Sequence, residues 1–296
     1  VGSEMCIRDR VAESWELSCH KDGPSVVADG EYKGLTLNEY IEKAGKGVLG
    51  KNCERFENFP ILIKLIDAKD NLSVQVHPDN DYAMRVEGEY GKTEMWYVVD
   101  CDEGATLLYG FKHEITKEEF ARRIADNTLL EVTNAVPVKK GDVFFIKSGT
   151  LHAIGKGILI AEIQQNSNTT YRIYDYGRVG KDGKPRELHV NKALDVTKLA
   201  PAEQYPETPV EKKDGYDIKL LSKCEYFTTY RVNVETKAEL DADENSFNSI
   251  LVLEGEPVIS GGETVSAKKG ESVFISAGTG KYTVEGKCTF VLTKID

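Results

Sequence analysis

The sequence predicts a mainly β protein, a sandwich or barrel with a few short helices. Its apolar stretches are short and are separated by Gly, Asp and Asn, which is typical of strands joined by turns. Helix signals are rare, and they do not alternate with the strand signals as they would in an α/β fold. A chain of 296 residues is also long enough for two domains of ordinary size.

Two short helices are predicted from local capping signals. Thr36 and Glu39 have the spacing of a capping box, and apolar residues on one face follow them until Gly45. Thr116 and Glu119 repeat this pattern. The predicted strands are 61–66, 73–76, 95–99, 143–146, 157–164, 218–221, 228–234, 250–253, 272–275 and 289–293.

The charge balance excludes some classes of protein. Lys and Arg number 38 against 49 Asp and Glu, which gives a net charge of −11 at pH 7 and argues against a nucleic-acid-binding protein with a basic face. The best apolar stretch, 59–66, contains Lys64 and is far shorter than the ~18 residues of a membrane span. Without a recognisable targeting segment, we expect a cytoplasmic protein that binds neither nucleic acid nor membrane.

The chain contains an internal repeat. Residues 141–152 align with residues 270–281 at an offset of 129, and Gly, an acidic residue, part of a Val-Phe-Ile run, Gly and Thr recur in register. His152 aligns with Lys281. We therefore expect two copies of one β domain, of which the second lacks the function of His152.

Side chains that can bind a metal are concentrated in the first copy. Residues 72–77 alternate so that Ser73, Gln75 and His77 lie on one face of a strand. Glu94 opens the next strand, and His152 follows a glycine corner. Two imidazoles, a carboxylate and an amide oxygen suit Zn²⁺ with an open position, although two His and one carboxylate also suit non-haem iron.

Several segments resemble a known family. Residues 141–152 resemble the second motif of the cupin superfamily, with Lys147 in the place of its proline. The fold that this implies is two cupin-type β-barrels, or jelly rolls, in tandem. The segments that resemble type I mannose-6-phosphate isomerases, in particular the shorter bacterial members, are 73–79, 91–97, 149–154 and 164–176.

The resemblance implies an enzyme with one Zn²⁺ per chain that interconverts mannose 6-phosphate and fructose 6-phosphate. The positions that match the zinc ligands of the family are Gln75, His77, Glu94 and His152. Arg172 matches the residue usually marked as the active site.

The repeat and the resemblance together predict the domain organisation. Residues 1–10 look unrelated to the rest of the chain and are taken as a non-native start. Residues 11–199 are expected to form the catalytic, metal-binding cupin domain. Residues 200–214, with three of the nine prolines, are a predicted linker, and residues 215–296 a degenerate cupin domain without metal ligands. The sequence leaves open whether the protein is a monomer or a dimer.

Aldose–ketose isomerisation moves a proton between C1 and C2, so a base must lie at hydrogen-bond distance from the sugar. Lys92 lies two residues before Glu94 and therefore faces the same side of an extended strand. Burial beside a metal is expected to lower the pKa of this lysine. Glu162 and Asp175 are the alternatives for the base.

A phosphate group requires cations within this acidic chain. Arg172 offers a planar guanidinium that matches pairs of phosphate oxygens, and Arg178 lies six residues further on. We predict that Ser73, Asp175 and Arg178 contribute to substrate binding.

Two other functions are compatible with these residues. One is a cupin that binds a phosphosugar without converting it, which binding without turnover would reveal. The other is a non-haem iron oxygenase on the same barrel, which iron content and oxygen consumption would reveal.

Overall fold

A computed structural model describes residues 3–7, 11–179 and 183–296. Residues 1, 2 and 8–10 of the predicted non-native start lie outside the described residues. The α-helices are α1 (Leu37–Ala44), α2 (Asn80–Val86), α3 (Lys117–Ala125) and α4 (Val190–Val196). Short 3₁₀ helices cover Lys46–Leu49, Lys51–Cys53 and Leu129–Glu131. None of the helices within the described ranges is long and apolar enough to cross a membrane.

The strands fall into two series along the chain. The first series is β1 (Ser3–Ile7), β2 (Val11–Leu17), β3 (Ile61–Ala68), β4 (Val74–Val76), β5 (Glu94–Cys101), β6 (Thr106–Phe111), β7 (Thr133–Pro137), β8 (Val143–Ile146), β9 (His152–Ala153), β10 (Ile158–Gln165) and β11 (Tyr171–Tyr174). The second series is β12 (Val210–Lys213), β13 (Tyr216–Lys223), β14 (Thr228–Val234), β15 (Lys237–Ala242), β16 (Asn248–Gly255), β17 (Val258–Gly261), β18 (Glu263–Ser266), β19 (Ser272–Ile275), β20 (Gly280–Glu285) and β21 (Cys288–Lys294).

The predicted fold class is confirmed, because the protein is mainly β and each predicted strand is present. The strands form jelly-roll-like sheets rather than closed barrels. Both predicted helices begin where their capping signals stand. Thr36 and Glu39 form the complete capping box of α1, and the side chain of Thr116 accepts a hydrogen bond from the backbone N–H of Glu119 at the start of α3.

The described chain divides into two compact units. One is made mainly of Ile66–Tyr205, and the other of Ser14–Leu65 and Pro206–Asp296. In the first unit, β10, β5 and β8 lie side by side and antiparallel, and β11, β4, β9, β6 and β7 form a second sheet in that order. Two clusters of buried apolar side chains, around Phe111 and around Trp96, fill this unit.

The second unit repeats this strand order. Its sheets run β12-β13-β14-β21-β16-β19 and β15-β20-β17-β18, so that β21-β16-β19 corresponds to β10-β5-β8. The segment Val210–Lys213, inside the predicted linker, is the edge strand β12 and pairs with β13. A cluster of buried apolar side chains around Phe290 and Tyr282 fills this unit.

The registers identify equivalent positions in the two repeats. Glu94 pairs with Ile146, and in the second repeat Asn248 pairs with Ile275, which is 129 residues after Ile146. Gln75 pairs with His152, and the equivalent pair is Asp241 with Lys281. The second repeat therefore lacks both imidazoles at the positions where the first repeat holds metal-binding side chains.

Candidate active site

Three buried side chains of the first unit converge on one point. His77 directly follows β4, Glu94 opens β5 and His152 opens β9, and each is at most 1% exposed. Their ligand atoms all lie within 4.8 Å of one another. The two imidazole Nε2 atoms are 3.1 Å apart, and the Glu94 carboxylate lies 3.5 Å from His77 Nε2 and 3.4 Å from His152 Nε2.

The hydrogen bonds of the two imidazoles fix the role of each ring nitrogen. His77 Nδ1 lies 3.0 Å from the carbonyl of Thr169, and His152 Nδ1 lies 2.8 Å from the carbonyl of Thr150. A carbonyl can only accept, so Nδ1 donates in both rings and each neutral ring turns the lone pair of Nε2 to the centre. The two Nε2 lone pairs and the Glu94 carboxylate thus face one another at distances that suit the binding of a cation. Two imidazole nitrogens and a carboxylate oxygen are ligands that suit Zn²⁺.

The pKa of His152 supports metal binding at neutral pH. Burial lowers it from its usual value of 6.5 to about 4. The ring is therefore neutral near pH 7, which is the form that binds a metal.

Gln75 lies on the same sheet face as this centre. In the five-stranded sheet it pairs with His152 on one side and with Arg172 on the other. Residues directly opposite on neighbouring strands point to the same face, and His77 lies two residues further along. The sheet thus places the predicted amide ligand between the imidazole of His152 and the guanidinium of Arg172.

A buried lysine borders the metal-binding side chains. Lys92 Nζ lies 3.2 Å from Glu94 and 3.8 Å from Glu162, whose carboxylate accepts a 2.8 Å hydrogen bond from the Trp96 indole. Burial alone would lower the pKa of Lys92, but the carboxylates of Glu94 and Glu162 outweigh it and raise the pKa. In the metal-free protein the pKa of Lys92 is therefore raised, and the lowering expected beside a metal ion stays a prediction.

Asp175 holds two arginines together. Arg186 donates to its two carboxylate oxygens from Nε at 2.7 Å and from Nη2 at 2.6 Å. Arg178 donates from Nε at 3.1 Å and also from Nη2. Burial alone would raise the pKa of the Asp175 carboxyl, but these bonds outweigh it and lower the pKa. A carboxylate held in this way is an anchor for guanidinium groups and is poorly placed to serve as a base.

Arg172 adds a third guanidinium. Its Nη1 donates to the carbonyl of Glu187 at 3.1 Å, while its Nε is buried and meets no acceptor among the described residues. Burial lowers its pKa, and the positive charges of Arg186 and Arg178 lower it further, partly opposed by Asp175. An anionic group bound here would accept a hydrogen bond from the buried Nε of Arg172 and offset the surrounding positive charge.

Comparison with known proteins decides the family. A family described as phosphomannose isomerase type I, catalytic domain, matches residues 5–104, and one described as mannose-6-phosphate isomerase, cupin domain, matches residues 217–295. The chain is 39% identical to mannose-6-phosphate isomerase ManA of Bacillus subtilis over 288 residues, which is 97% of this chain and 90% of ManA. The chain belongs to the type I mannose-6-phosphate isomerase family.

Solved structures agree with this family. The crystal structure of a mannose 6-phosphate isomerase from Bacillus subtilis has a TM-score of 0.89 at 38% identity, and the match covers 95% of this chain and 88% of that one. A structure described as zinc-bound, holo mannose 6-phosphate isomerase has the same fold, with a TM-score of 0.76 at 16% identity over 96% and 91% of the two chains. Among the described residues, His77, Glu94 and His152 are the group that could hold a metal ion in this chain.

The structure brings together most residues that the sequence singled out. Lys92, Glu94 and Glu162 lie next to one another, and so do Arg178 and Asp175. Ser73 is buried directly before β4. Arg186 was missed, because no motif or period relates it to Asp175. Trp96, which no motif singles out as a site residue, also binds the carboxylate of Glu162 through its indole N–H.

Proposed function

We propose that this protein interconverts D-mannose 6-phosphate and D-fructose 6-phosphate by moving a proton between C1 and C2 of the sugar. The observation that supports this most strongly is the convergence of His77, Glu94 and His152 beside a buried lysine in a member of this family. The neighbouring guanidinium cluster of Arg172 and its partners supplies the positive charge that a phosphorylated sugar needs.

The residues proposed to hold the zinc ion are Gln75, His77, Glu94 and His152. When bound, zinc supplies Lewis-acid stabilisation of the negative charge that develops on the sugar oxygens during enolisation. The Nδ1 hydrogen bonds of both histidines keep their rings in the orientation that this role requires.

We propose Lys92 as the group that carries the proton, because its Nζ lies beside the carboxylate of Glu94 and is shielded from water. Glu162 is the alternative, since it is 3.8 Å from Lys92 and is also buried. Its hydrogen bond to Trp96 holds it in place for either task, as base or as the partner that keeps Lys92 charged. Asp175 is set aside because two guanidinium groups already bind it.

The phosphate group is proposed to bind at the arginine cluster. Arg172 is the proposed first contact, and Ser73 stays a predicted substrate-binding residue. Arg178, whose three guanidinium nitrogens are all engaged, is proposed to assist substrate binding by holding Asp175. Fixing the phosphate also fixes the distance between the sugar carbons and the base, which is how remote binding assists the chemical step.

The functional division of the chain is also a proposal. Residues 11–199 carry the chemistry, residues 200–214 connect, and residues 215–296 form a jelly roll with a structural role. The replacement of His152 by Lys281 at the equivalent position supports this division. We further propose that the enzyme acts in the cytoplasm, where its sugar-phosphate substrates are found.

NMR of fructose 6-phosphate incubated with zinc-loaded protein tests the proposed function. Mannose 6-phosphate should appear, and a chelator should prevent it. Tight binding of the sugar phosphate without any product would indicate the non-catalytic cupin instead. Oxygen consumption that depends on iron would indicate the oxygenase.

A further inference from the structure

The two arginines bound to Asp175 differ in how many of their nitrogens are engaged. Arg178 uses all three: Nε and Nη2 bind Asp175, and Nη1 donates to the carbonyl of Asn71 at 2.7 Å. Its side chain is 25% exposed. Arg178 therefore links Asn71, which precedes β4, to Asp175, which follows β11. We call this pair of contacts the Arg178 clamp.

Arg186 keeps one edge of its guanidinium available. Nε and Nη2 bind the two oxygens of Asp175 side by side, and among the described residues Nη1 has no acceptor. The side chain is 41% exposed, so this nitrogen can be reached by a ligand. The bidentate bond fixes the plane of the guanidinium, and with it the direction of the remaining N–H groups.

The positive charge of Arg186 acts on Arg172. Among the charged groups that lower the pKa of Arg172, Arg186 has the largest effect and Arg178 a smaller one. Neighbouring guanidinium groups repel one another, and a bound anion would offset this repulsion. The buried Nε of Arg172 and the available Nη1 of Arg186 are thus two donors of neighbouring cations, neither of which has an acceptor within the described part of the chain.

We propose that Arg186, rather than Arg178, is the second guanidinium that contacts the phosphate of the substrate, and that Asp175 is the residue that positions it. This inference rests on the proposed sugar-phosphate isomerase function. Three guanidinium groups outnumber the carboxylates of Asp175 and Glu187 that act on them, so the cluster keeps a net positive charge that suits a phosphate group, which carries about −1.5 to −2 at neutral pH. The Arg178 clamp keeps Asp175 in place. It affects phosphate binding only indirectly, because Asp175 in turn orients Arg186.

Steady-state kinetics of the zinc-loaded protein separate the two arginines. Arg186→Gln should raise the KM for fructose 6-phosphate about 10- to 100-fold, the range expected when a charge-assisted hydrogen bond to a phosphate is lost. Its kcat should change much less. Arg186→Lys should recover part of the loss, because it keeps the charge but not the planar fork. Arg178→Gln should raise KM less than Arg186→Gln and should lower the melting temperature more.

Binding of inorganic phosphate, measured by titration calorimetry on the same proteins, gives a readout that does not depend on turnover. Arg186→Gln should weaken it by a similar factor, whereas Arg122→Gln, on the exposed face of α3, should not. A larger loss of phosphate affinity in Arg178→Gln, or unchanged affinity in both Arg186 variants, would overturn the inference. If the wild type bound phosphate but converted no sugar, the proposed function would fail while the calorimetry still decided between the arginines.

Discussion

The buried imidazole of His152 makes the stability of the metal-free protein depend on pH in a predictable way. Its pKa is about 4 in the folded protein against 6.5 when exposed, because burial disfavours the charged ring. Above pH 6.5 the ring is neutral in both states, and its full contribution to stability is present. As the pH falls below 6.5, this imidazole becomes protonated in the unfolded chain but stays neutral in the folded protein. The free energy of unfolding therefore decreases progressively down to about pH 4.

The magnitude follows from the two pKa values. One pKa unit corresponds to about 1.4 kcal/mol, so the complete loss amounts to about 3 kcal/mol, of which about 2 kcal/mol falls between pH 7 and pH 4.5. That is a large share of the ~5–15 kcal/mol by which domains are usually stable. Zinc competes with the proton for the same nitrogen, so zinc-loaded protein should resist acid better than metal-free protein.

Urea denaturation of metal-free protein at pH 7 and pH 4.5 measures this effect. Other acidic groups also titrate in this range, so the comparison is with His152→Asn, in which the drop in unfolding free energy should be smaller by about 2 kcal/mol. His113→Asn, at an exposed position, is the matched control and should behave like the wild type. An equal drop in the wild type and in His152→Asn would refute the explanation.

Three further outcomes are expected. A ligand that binds the folded state stabilises it, so a chelator should lower the melting temperature of zinc-loaded protein. Added zinc, but not magnesium, should restore the melting temperature. An unchanged melting temperature would speak against a zinc centre. Trp96→Phe removes the 2.8 Å hydrogen bond to Glu162 and should lower the free energy of unfolding in urea by about 2–4 kcal/mol. It should also lower kcat. A loss of stability with unaltered kcat would show that Glu162 has no part in the reaction. Gly155→Ala would bring Cβ to 1.7 Å from the carbonyl oxygen of Thr106 and should cost about 3 kcal/mol or more, whereas Gly47→Ala, with open space around it, should cost little in the same assay.

Local signals in the sequence were enough to predict the starts of α1 and α3 and the main strands. Thr36 and Glu39 cap α1 through bonds between neighbours in the chain, so no tertiary information was needed. The helices α2 and α4 were missed for different reasons. Asp79 caps α2, but no Glu or Gln follows at the third position, and α4 has no side-chain cap. The edge strand β12 reads Val-Glu-Lys-Lys and is fully exposed, so it has no apolar alternation to reveal it.

The site was predictable only as far as its residues lie on strands with a clear register. Gln75 and His77 share a face because they alternate, and Glu94 was placed by its position at the start of a strand. Arg186 could not be found, because its contact with Asp175 depends on the path of the loop that follows β11. The raised pKa of Lys92 depends in the same way on Glu162, which reaches it from another strand.

Metal titration against activity tests the central claim most directly. Metal-free protein is mixed with increasing zinc, and the rate at which fructose 6-phosphate becomes mannose 6-phosphate is followed together with bound zinc. The rate should rise linearly and reach its plateau at one zinc per chain, and Glu94→Gln should bind zinc weakly and stay inactive. Full activity in the metal-free protein, or a zinc-loaded wild type that forms no mannose 6-phosphate, would contradict a zinc-dependent isomerase.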